Sequence, residues 1–460
     1  MKNIAIYITS ALLFIYVFIR AYELSFTHDE SLSYTILNGN EVYAATANNH
    51  ILNTKLMALS RNLFGNSEIA LRLPNVLAFL VYMLSSYLII RRTKSTIVLF
   101  GWFCFLVINP FTIEFFSLAR GYGISLSMVM LSLHFLLQIG NSSSLDKNNI
   151  IAVSGSLLFA ILAVFANLSC INYLLSLQAL LAFRFLLKGK WPSSKPYWII
   201  IGLSTFPLVI FVRRLLDLQK ANELYFGNNH FLEGLKSLIL ESTGSIFYSE
   251  TLSLIAQLII ILAFVAGVSK IIYNRNLQSS LSLVVQVISL ILLGLFVEHY
   301  LFGAKFPHER TAIYYIPILT VFLYLFFTEI KSSLTLFPAR ANSILSVIFI
   351  CLVLGNFLID ANIRHTKTWR YDSHTKDVMK LVKEKNESAD TVQTISNHWL
   401  FEPSINYYIS TLKINMNTAN RDGINQSTDF IYRLEDKEEL ENHTSIQYFE
   451  DTNSELLMRH

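Results

Sequence analysis

Long apolar runs separated by short polar connectors fill most of the first 360 residues. A helix that crosses the hydrocarbon core of a bilayer needs about 20 mostly apolar residues. The pattern predicts eleven such helices, over residues 4–22, 72–90, 96–113, 122–139, 150–167, 169–187, 197–215, 249–271, 280–297, 312–330 and 341–359. No small-residue cleavage site follows the first run, so we expect a retained anchor there and not a signal peptide.

Basic residues in the short connectors predict the orientation of these spans. With the N-terminus in the cytoplasm, the connector that holds Arg91, Arg92 and Lys94 lies inside, as the positive-inside rule requires. An odd number of spans then places the C-terminus on the outer side of the membrane. The connectors predicted to lie on the outer side are either long, over residues 23–71 and 216–248, or short and rich in polar and charged residues, over 114–121 and 298–311.

A helical repeat of apolar residues lies within the first outer connector. Its members are Ile51, Leu52, Leu56, Leu59, Leu63 and Phe64. This spacing predicts an amphipathic helix that lies along the membrane surface. Gly65 is the expected stop.

Residues 361–460 differ in composition from the rest of the chain. They hold 12 Lys+Arg and 16 Asp+Glu, whereas the first 360 residues hold 24 and 16. We predict helices over 373–386 and 402–410 and strands over 391–396 and 412–416. The predicted architecture is an all-α polytopic membrane domain, 1–360, followed by a small extracytoplasmic α/β domain, 361–460.

The composition excludes several classes of protein. Only 15% of residues are charged and 53% are hydrophobic, whereas soluble domains are about 25% charged. The sequence has no basic tail or basic stripe, which argues against a nucleic-acid-binding protein. The three cysteines, Cys104, Cys170 and Cys351, lie in apolar runs, so we expect neither a disulfide framework nor a cysteine-based zinc site.

Two acids, Asp29 and Glu30, follow the first span directly. A carboxylate at the boundary between water and lipid is partly desolvated, and it then becomes basic enough to take a proton from a hydroxyl. The alternative is that both acids only begin a helix, where negative charge suits the N-terminal dipole. We take both acids as catalytic candidates.

Further candidates lie on the other outer connectors. Glu114 is a third acid, and the stretch from Arg120 to Gly123 offers a guanidinium fork for a phosphate, with glycines that allow close approach. The alternative for Arg120 and Tyr122 is an interfacial anchor. The candidates for substrate binding are His50, Lys55, Arg120, Tyr122, His308 and Arg310. The loop with His308 and Arg310 could equally be a salt-bridged rim.

These residues together resemble a known family. The order is Asp29-Glu30 after the first span, His50 before the amphipathic stretch, then residues 63–68 leading into Ala70-Leu-Arg-Leu-Pro74. It resembles the GT-C glycosyltransferases related to protein O-mannosyltransferases and to the lipid A aminoarabinose transferase. The stretches 109–114 and 119–123 are similar to the second outer loop of bacterial members. Those members often carry His-Pro-Pro at positions 50–52 and Asp at position 114.

The resemblance implies a function. It implies that Asp29 is the catalytic base, that Glu114 is a second acid, and that the donor is a sugar on a polyprenyl phosphate. We therefore expect a multi-pass glycosyltransferase of the inner (plasma) membrane whose acceptor is a hydroxyl of an envelope glycan, lipid or protein. No cofactor is assigned, although a divalent metal is compatible with this expectation.

Two other classes compete with an enzyme. A transporter or flippase of lipid-linked saccharides would use the same charges to line a pathway, but such proteins usually carry polar residues at the membrane midplane and related halves. The predicted spans are almost free of ionisable groups at their centres. A non-catalytic assembly protein would explain the C-terminal domain but not the outer acids and arginines.

Overall fold

The computed structural model describes residues 4–139, 147–187, 191–244, 249–274, 276–331, 339–386, 391–434, 440 and 442–460. The last four residues of the predicted outer connector 216–248 lie outside this set. Before residue 361 the described helices are α1 Ile4–Glu23, α2 His28–Leu37, α3 Glu41–Ala44, α4 Ile51–Phe64, α5 Glu68–Ile90, α6 Thr96–Val107, α7 Pro110–Phe116, α8 Gly121–Leu136, α9 Lys147–Ala166, α10 Ile171–Leu187, α11 Trp191–Lys220, α12 Phe231–Thr243, α13 Glu250–Asn274, α14 Ser280–Phe302, α15 Tyr315–Lys331 and α16 Ala339–Asp360.

The predicted spans all coincide with helices, and the polytopic helical fold is confirmed. Among the described residues, seven helical segments are long and apolar enough to cross a bilayer, or eight if α6 and α7 form one bent span, and α8, α15 and α16 are shorter apolar helices. The predicted span 96–113 is not one straight helix, because α6 and α7 meet at 61°. Asn109 is extended and caps α7, and Pro110 begins it, so the helix cannot continue through this point. The chain is a multi-pass membrane protein.

The amphipathic helix of the first outer connector is confirmed as α4. It ends at Gly65, whose φ of 88° is a conformation that favours glycine. Leu59, Leu63 and Phe64 on this helix are exposed. Three more helices, α2, α3 and α12, also lie in the predicted outer connectors. Asp29 is in the first turn of α2, whereas His50 and Arg120 directly precede α4 and α8.

The C-terminal domain is a small α/β unit, as predicted. It contains α17 Thr375–Asn386, α18 Glu402–Leu412, β1 Ile395–Asn397, β2 Phe430–Leu434, β3 His443–Phe449 and β4 Ser454–Arg459. The sheet order is β1-β2-β4-β3, with β1 parallel to β2 and the other pairs antiparallel. The predicted strand 412–416 is wrong, because Lys413 adopts a left-handed conformation that ends α18. Within this segment the described bridge joins Met416 to Gln393.

The core of the C-terminal domain continues into the first outer connector. The ring of Phe26 stacks on Tyr407 with 4.1 Å between centroids, and the Phe26 N–H donates to the Tyr408 hydroxyl at 2.8 Å. Tyr407 in turn donates to the Asn66 carbonyl at 2.8 Å. Helix α18 therefore packs against α2, and the C-terminal domain is held directly over the helix that carries Asp29 and Glu30.

Candidate functional site

Helix α2 places Asp29 among cations from two other outer connectors. Thr27 is the N-cap of this helix, and its N–H donates to Glu30 Oε2 at 3.0 Å, which fixes the first turn. The Asp29 Oδ2 atom lies 3.0 Å from Arg310 Nη1 and 3.3 Å from Arg120 Nη2. The carboxylate is only 8% exposed. The structure thus brings three of the predicted site residues into one cluster.

Arg120 is held in this cluster by several acceptors. Its Nη1 donates to the Asp29 carbonyl at 3.1 Å, to Ser33 Oγ at 3.2 Å and to the Asn48 carbonyl at 3.1 Å. Gly121 follows, and a Cβ at that position would overlap the Ala166 carbonyl oxygen and approach His50 Cβ to 2.8 Å. The sequence predicted that a glycine here lets another group approach the backbone closely. In the structure the groups that approach Gly121 belong to the protein itself.

Arg310 is held by aromatic rings as well as by Asp29. Its guanidinium carbon lies 5.1 Å from the ring centre of Phe226 and 5.3 Å from that of Trp369, which are cation–π distances. After the two arginines, Trp369 also helps to lower the pKa of Asp29, and it is 3% exposed. Phe226 and Trp369 are site residues that sequence reasoning missed, because nothing in their local pattern distinguishes them from ordinary apolar residues.

The two arginines determine the charge of Asp29. Burial by itself would raise the pKa of Asp29, but the charges of Arg120 and Arg310 outweigh it and lower that pKa below its ordinary value. His28 acts in the same direction; burial and then the charges of Asp372 and Asp29 raise the pKa of Tyr371. Asp29 is therefore an anion at neutral pH.

His50 is buried next to the cluster and uncharged. Burial first, and then the charge of Arg120, lower the pKa of His50 well below its ordinary value. Its Nδ1 atom lies 2.9 Å from the Ala166 carbonyl, so the neutral ring donates there. The Nε2 atom is then an acceptor, and it has no hydrogen-bond partner within the described part of the chain. Its ring meets Tyr122 edge-on at 4.8 Å.

Glu30 faces a different partner from Asp29. Its Oε1 accepts from Arg72 Nε at 2.8 Å and from the Ala119 N–H at 2.6 Å, and its Oε2 accepts from Arg72 Nη2 at 2.7 Å. Both side chains of this ion pair are fully buried. The remaining N–H groups of Arg72 donate to backbone carbonyls of residues 21, 24 and 25. The pair thus joins α2 to the first turns of α5.

Glu114 lies on α7 and contacts Arg20, not Arg120 or Arg310. Its Oε2 is 3.3 Å from Arg20 Nη2 and accepts from the Lys367 N–H at 3.0 Å. Arg20 also donates to the carbonyls of Asn362 at 2.7 Å and His365 at 2.9 Å. This ion pair therefore fastens the linker that leads to Trp369.

The other three predicted residues differ in their surroundings. Tyr122 is buried beside His50 and lies 5.9 Å from the Arg120 guanidinium. His308 is half-buried and pairs with Glu309 at 3.6 Å. Lys55 is exposed on α4, and it forms no ion pair with any residue that the structure describes. The structure places Tyr122 in the cluster but brings neither His308 nor Lys55 into contact with Asp29.

The cluster is poorly suited to a metal ion. Across the described ranges no group of three or more His, Cys, Asp or Glu side chains could hold one. Two guanidinium groups already flank Asp29, and their charge opposes a divalent cation at that carboxylate. The divalent metal considered from the sequence stays a prediction, and no step below depends on it.

Comparisons with solved structures identify the fold of the chain. No protein-family model and no curated protein matches the sequence. Among solved structures, the chain is similar to ArnT from Cupriavidus metallidurans in the apo state, with a TM-score of 0.52, 10% identity and coverage of 98% of this chain and 97% of that one. ArnT is a lipid A aminoarabinose transferase of the GT-C superfamily. The chain has the GT-C fold.

Two further structures agree with this fold. ArnT from the same organism bound to undecaprenyl phosphate gives a TM-score of 0.51, 10% identity and the same coverage. The oligosaccharyltransferase of Archaeoglobus fulgidus in the apo form gives 0.50 and 12% identity, over 91% of this chain and 64% of that one. The resemblance to GT-C enzymes seen in residues 1–140 is confirmed for the fold, which extends over almost the whole chain. The roles of individual residues rest on the geometry above.

Proposed function

We propose that this GT-C chain is a membrane glycosyltransferase that moves a sugar from a polyprenyl phosphate to a hydroxyl of an envelope glycan, lipid or protein. The observation that carries the proposal is the cluster of Asp29 with Arg120 and Arg310. One carboxylate and two guanidinium groups from three outer connectors meet there at 3.0 and 3.3 Å. We place the protein in the inner (plasma) membrane, with the N-terminus in the cytoplasm and the C-terminal domain outside.

The chemistry follows from these charges. The donor phosphate lies against Arg120 and Arg310, whose donors match phosphate oxygens. Asp29 accepts the proton of the acceptor hydroxyl while the hydroxyl oxygen attacks the anomeric carbon. The bond from that carbon to the phosphate oxygen breaks, and the phosphate keeps the electron pair. Attack from the side opposite to the leaving group inverts the anomeric configuration.

Preformed donors matter because negative charge grows on the leaving phosphate. Removal of one such donor typically costs about 10²–10³-fold in rate. Arg310 is well suited to this role, since Phe226 and Trp369 lie against its guanidinium and restrict its orientation. The ArnT structure bound to undecaprenyl phosphate supports a polyprenyl phosphate as the ligand of this fold.

Glu30 and Glu114 have structural roles in this proposal. Both oxygens of Glu30 already accept hydrogen bonds from Arg72 and from backbone N–H groups, so this acid has little capacity left for a substrate proton. Glu114 holds the linker of Trp369 through the Lys367 N–H. We therefore assign proton transfer to Asp29 alone, and we assign His50 and Tyr122 to the wall of the substrate site.

Loss of the protein tests the proposal directly. In a deletion strain we expect a polyprenyl-phosphate sugar to accumulate, because its consumer is missing, and mass spectrometry of extracted lipids measures it. Periodate that cannot cross the membrane oxidises sugars only on the face it can reach. It therefore shows on which face the polyprenyl-phosphate sugar has accumulated. Accumulation on the outer face supports a transferase. Accumulation on the cytoplasmic face indicates a flippase, and no accumulation contradicts both.

The donor phosphate should also change the basicity of Asp29. Arg120 and Arg310 hold the pKa of Asp29 below its ordinary value of 3.8, so we expect the acid limb of kcat/KM, which reports the free enzyme, below pH 3.8. A bound phosphate shares the charge of both arginines, and the pKa of Asp29 then rises. We expect the acid limb of kcat at a higher pH than that of kcat/KM, measured from initial rates across pH.

An Arg310→Gln variant is the control for this effect. It removes one of the charges that lower the pKa of Asp29, so its kcat/KM limb should move to higher pH. The explanation fails if the two limbs of the wild-type enzyme coincide, or if the limb of kcat is the lower one.

A further inference from the structure

A basic cavity lies at the far end of α5 from the Asp29 cluster. It has a volume of about 370 Å³, and the turn between α5 and α6 lines it with Arg91, Arg92, Thr93 and Lys94. Ile90 follows Arg72 by eighteen positions on the same helix, which corresponds to about 27 Å at about 1.5 Å per residue. The cavity is therefore separate from the site described above.

Hydrogen bonds fix the shape of this turn. The Thr93 N–H donates to the Ile90 carbonyl at 2.9 Å, and the hydroxyls of Thr93 and Tyr324 lie 2.9 Å apart. Tyr324 on α15 also donates to the Ile90 carbonyl at 3.4 Å. Ser95 caps the start of α6, whose N-terminal residue Thr96 also lines the cavity. Three helices thus hold the turn in place before any ligand binds.

The cations of the turn have no anionic partner in the described part of the chain. Arg91, Arg92 and Lys94 are exposed, and no described acid forms an ion pair with them. By contrast, Lys270 pairs with Glu329 at 3.7 Å. The positive end of the α6 dipole adds to the three charges. The cavity therefore presents concentrated positive charge together with Arg and Lys donors, which suit phosphate oxygens.

We infer that this cavity binds the phosphate headgroup of an anionic phospholipid. Its lining residues lie where α5 ends and α6 begins, at the end of two apolar segments of membrane-spanning type, which corresponds to the depth of lipid headgroups. Basic pockets between membrane helices on the cytoplasmic side bind such headgroups. Leu99 adds an apolar wall on the side of the membrane interior. The predicted orientation makes this the cytoplasmic leaflet, and the inference does not depend on glycosyl transfer.

Native mass spectrometry of the full-length chain in detergent tests this inference, with phosphatidylglycerol and phosphatidylcholine as probes. We expect wild-type protein to retain phosphatidylglycerol in preference to phosphatidylcholine. The variant Arg91→Gln/Arg92→Gln/Lys94→Gln should lose at least tenfold of the phosphatidylglycerol affinity. The variant Lys380→Gln/Lys383→Gln/Lys385→Gln removes the same charge from α17 and should bind as wild type does.

Several outcomes would overturn the inference. Equal phosphatidylglycerol binding by the two triple variants would show that the turn is not the site, and equal binding of both lipids would show that headgroup charge is not recognised. Displacement of phosphatidylglycerol by an equal concentration of inorganic phosphate would make this a site for free phosphate. If the triple variant unfolds, the single variants Arg92→Gln and Lys94→Gln replace it, and each should weaken binding several-fold.

Discussion

Replacement of Asp29 by Asn should reduce turnover by roughly 10²–10⁴-fold, the usual contribution of a positioned general base. The amide keeps the size of the side chain and one oxygen that can accept from Arg310, but it cannot take a proton from an acceptor hydroxyl. Turnover of a polyprenyl-phosphate sugar by purified protein in detergent measures the effect. The exposed Asp422 of the C-terminal domain offers a matched control, and Asp422→Asn should retain full activity.

Binding measurements separate catalysis from folding in this variant. Asp29→Asn should still bind donor, because Arg120 keeps its contacts with Ser33 and Asn48. Donor affinity should even increase, since the carboxylate no longer competes with the phosphate for the guanidinium groups. A fully active and properly inserted Asp29→Asn protein would remove Asp29 as the base and, with it, the proposed mechanism.

The Glu30→Gln variant should show the largest loss of stability. Removal of one charge from a buried ion pair leaves the other uncompensated and typically costs about 3–5 kcal/mol. The new amide also brings an NH₂ group against N–H donors of Arg72, Thr27 or Ala119, which now lack an acceptor. A large fall in the thermal unfolding midpoint of the detergent-solubilised protein, together with a smaller folded fraction in membranes, measures the effect.

Glu250 provides the control for this prediction. It pairs with Lys236 at 2.9 Å, but its side chain is 80% exposed, and exposed pairs contribute about 0–1 kcal/mol. Glu250→Gln should therefore hardly move the unfolding midpoint. A Glu30→Gln protein that is as stable as wild type but inactive would return Glu30 to the catalytic role expected from the sequence.

Regular periodicity made much of the fold predictable. Spans and the amphipathic α4 depend on apolar residues close in sequence, and Gly65 marked the end of α4 correctly. The bend between α6 and α7 was missed because both helices are apolar and only Asn109 and Pro110 interrupt them. Strands β2 to β4 were missed because residues after 420 are rich in Asn and Glu, which rarely indicate strands.

The site was less predictable than the fold. The position of Asp29, Arg120 and Arg310 in connectors between spans could be predicted from the apolar pattern, but which cation meets which acid could not. Arg20 and Arg72 lie in or near spans, and the sequence does not show that they pair with Glu114 and Glu30. Trp369 lies against Arg310 beside Asp29, 340 positions after it in the chain, and such a distant neighbour leaves no mark on the local pattern.

These distances along the chain also determine when the site forms during synthesis. Asp29 is translated directly after the first span, but Arg310 follows it only 281 positions later and Trp369 later still. The hydroxyl of Tyr408, which fixes the Phe26 backbone below the C-terminal domain, is made later still. Long-range contacts of this kind form late in folding. A partly translated chain therefore carries Asp29 and Arg120 without Arg310 and Trp369, and the cluster is complete only after the C-terminal domain has been made.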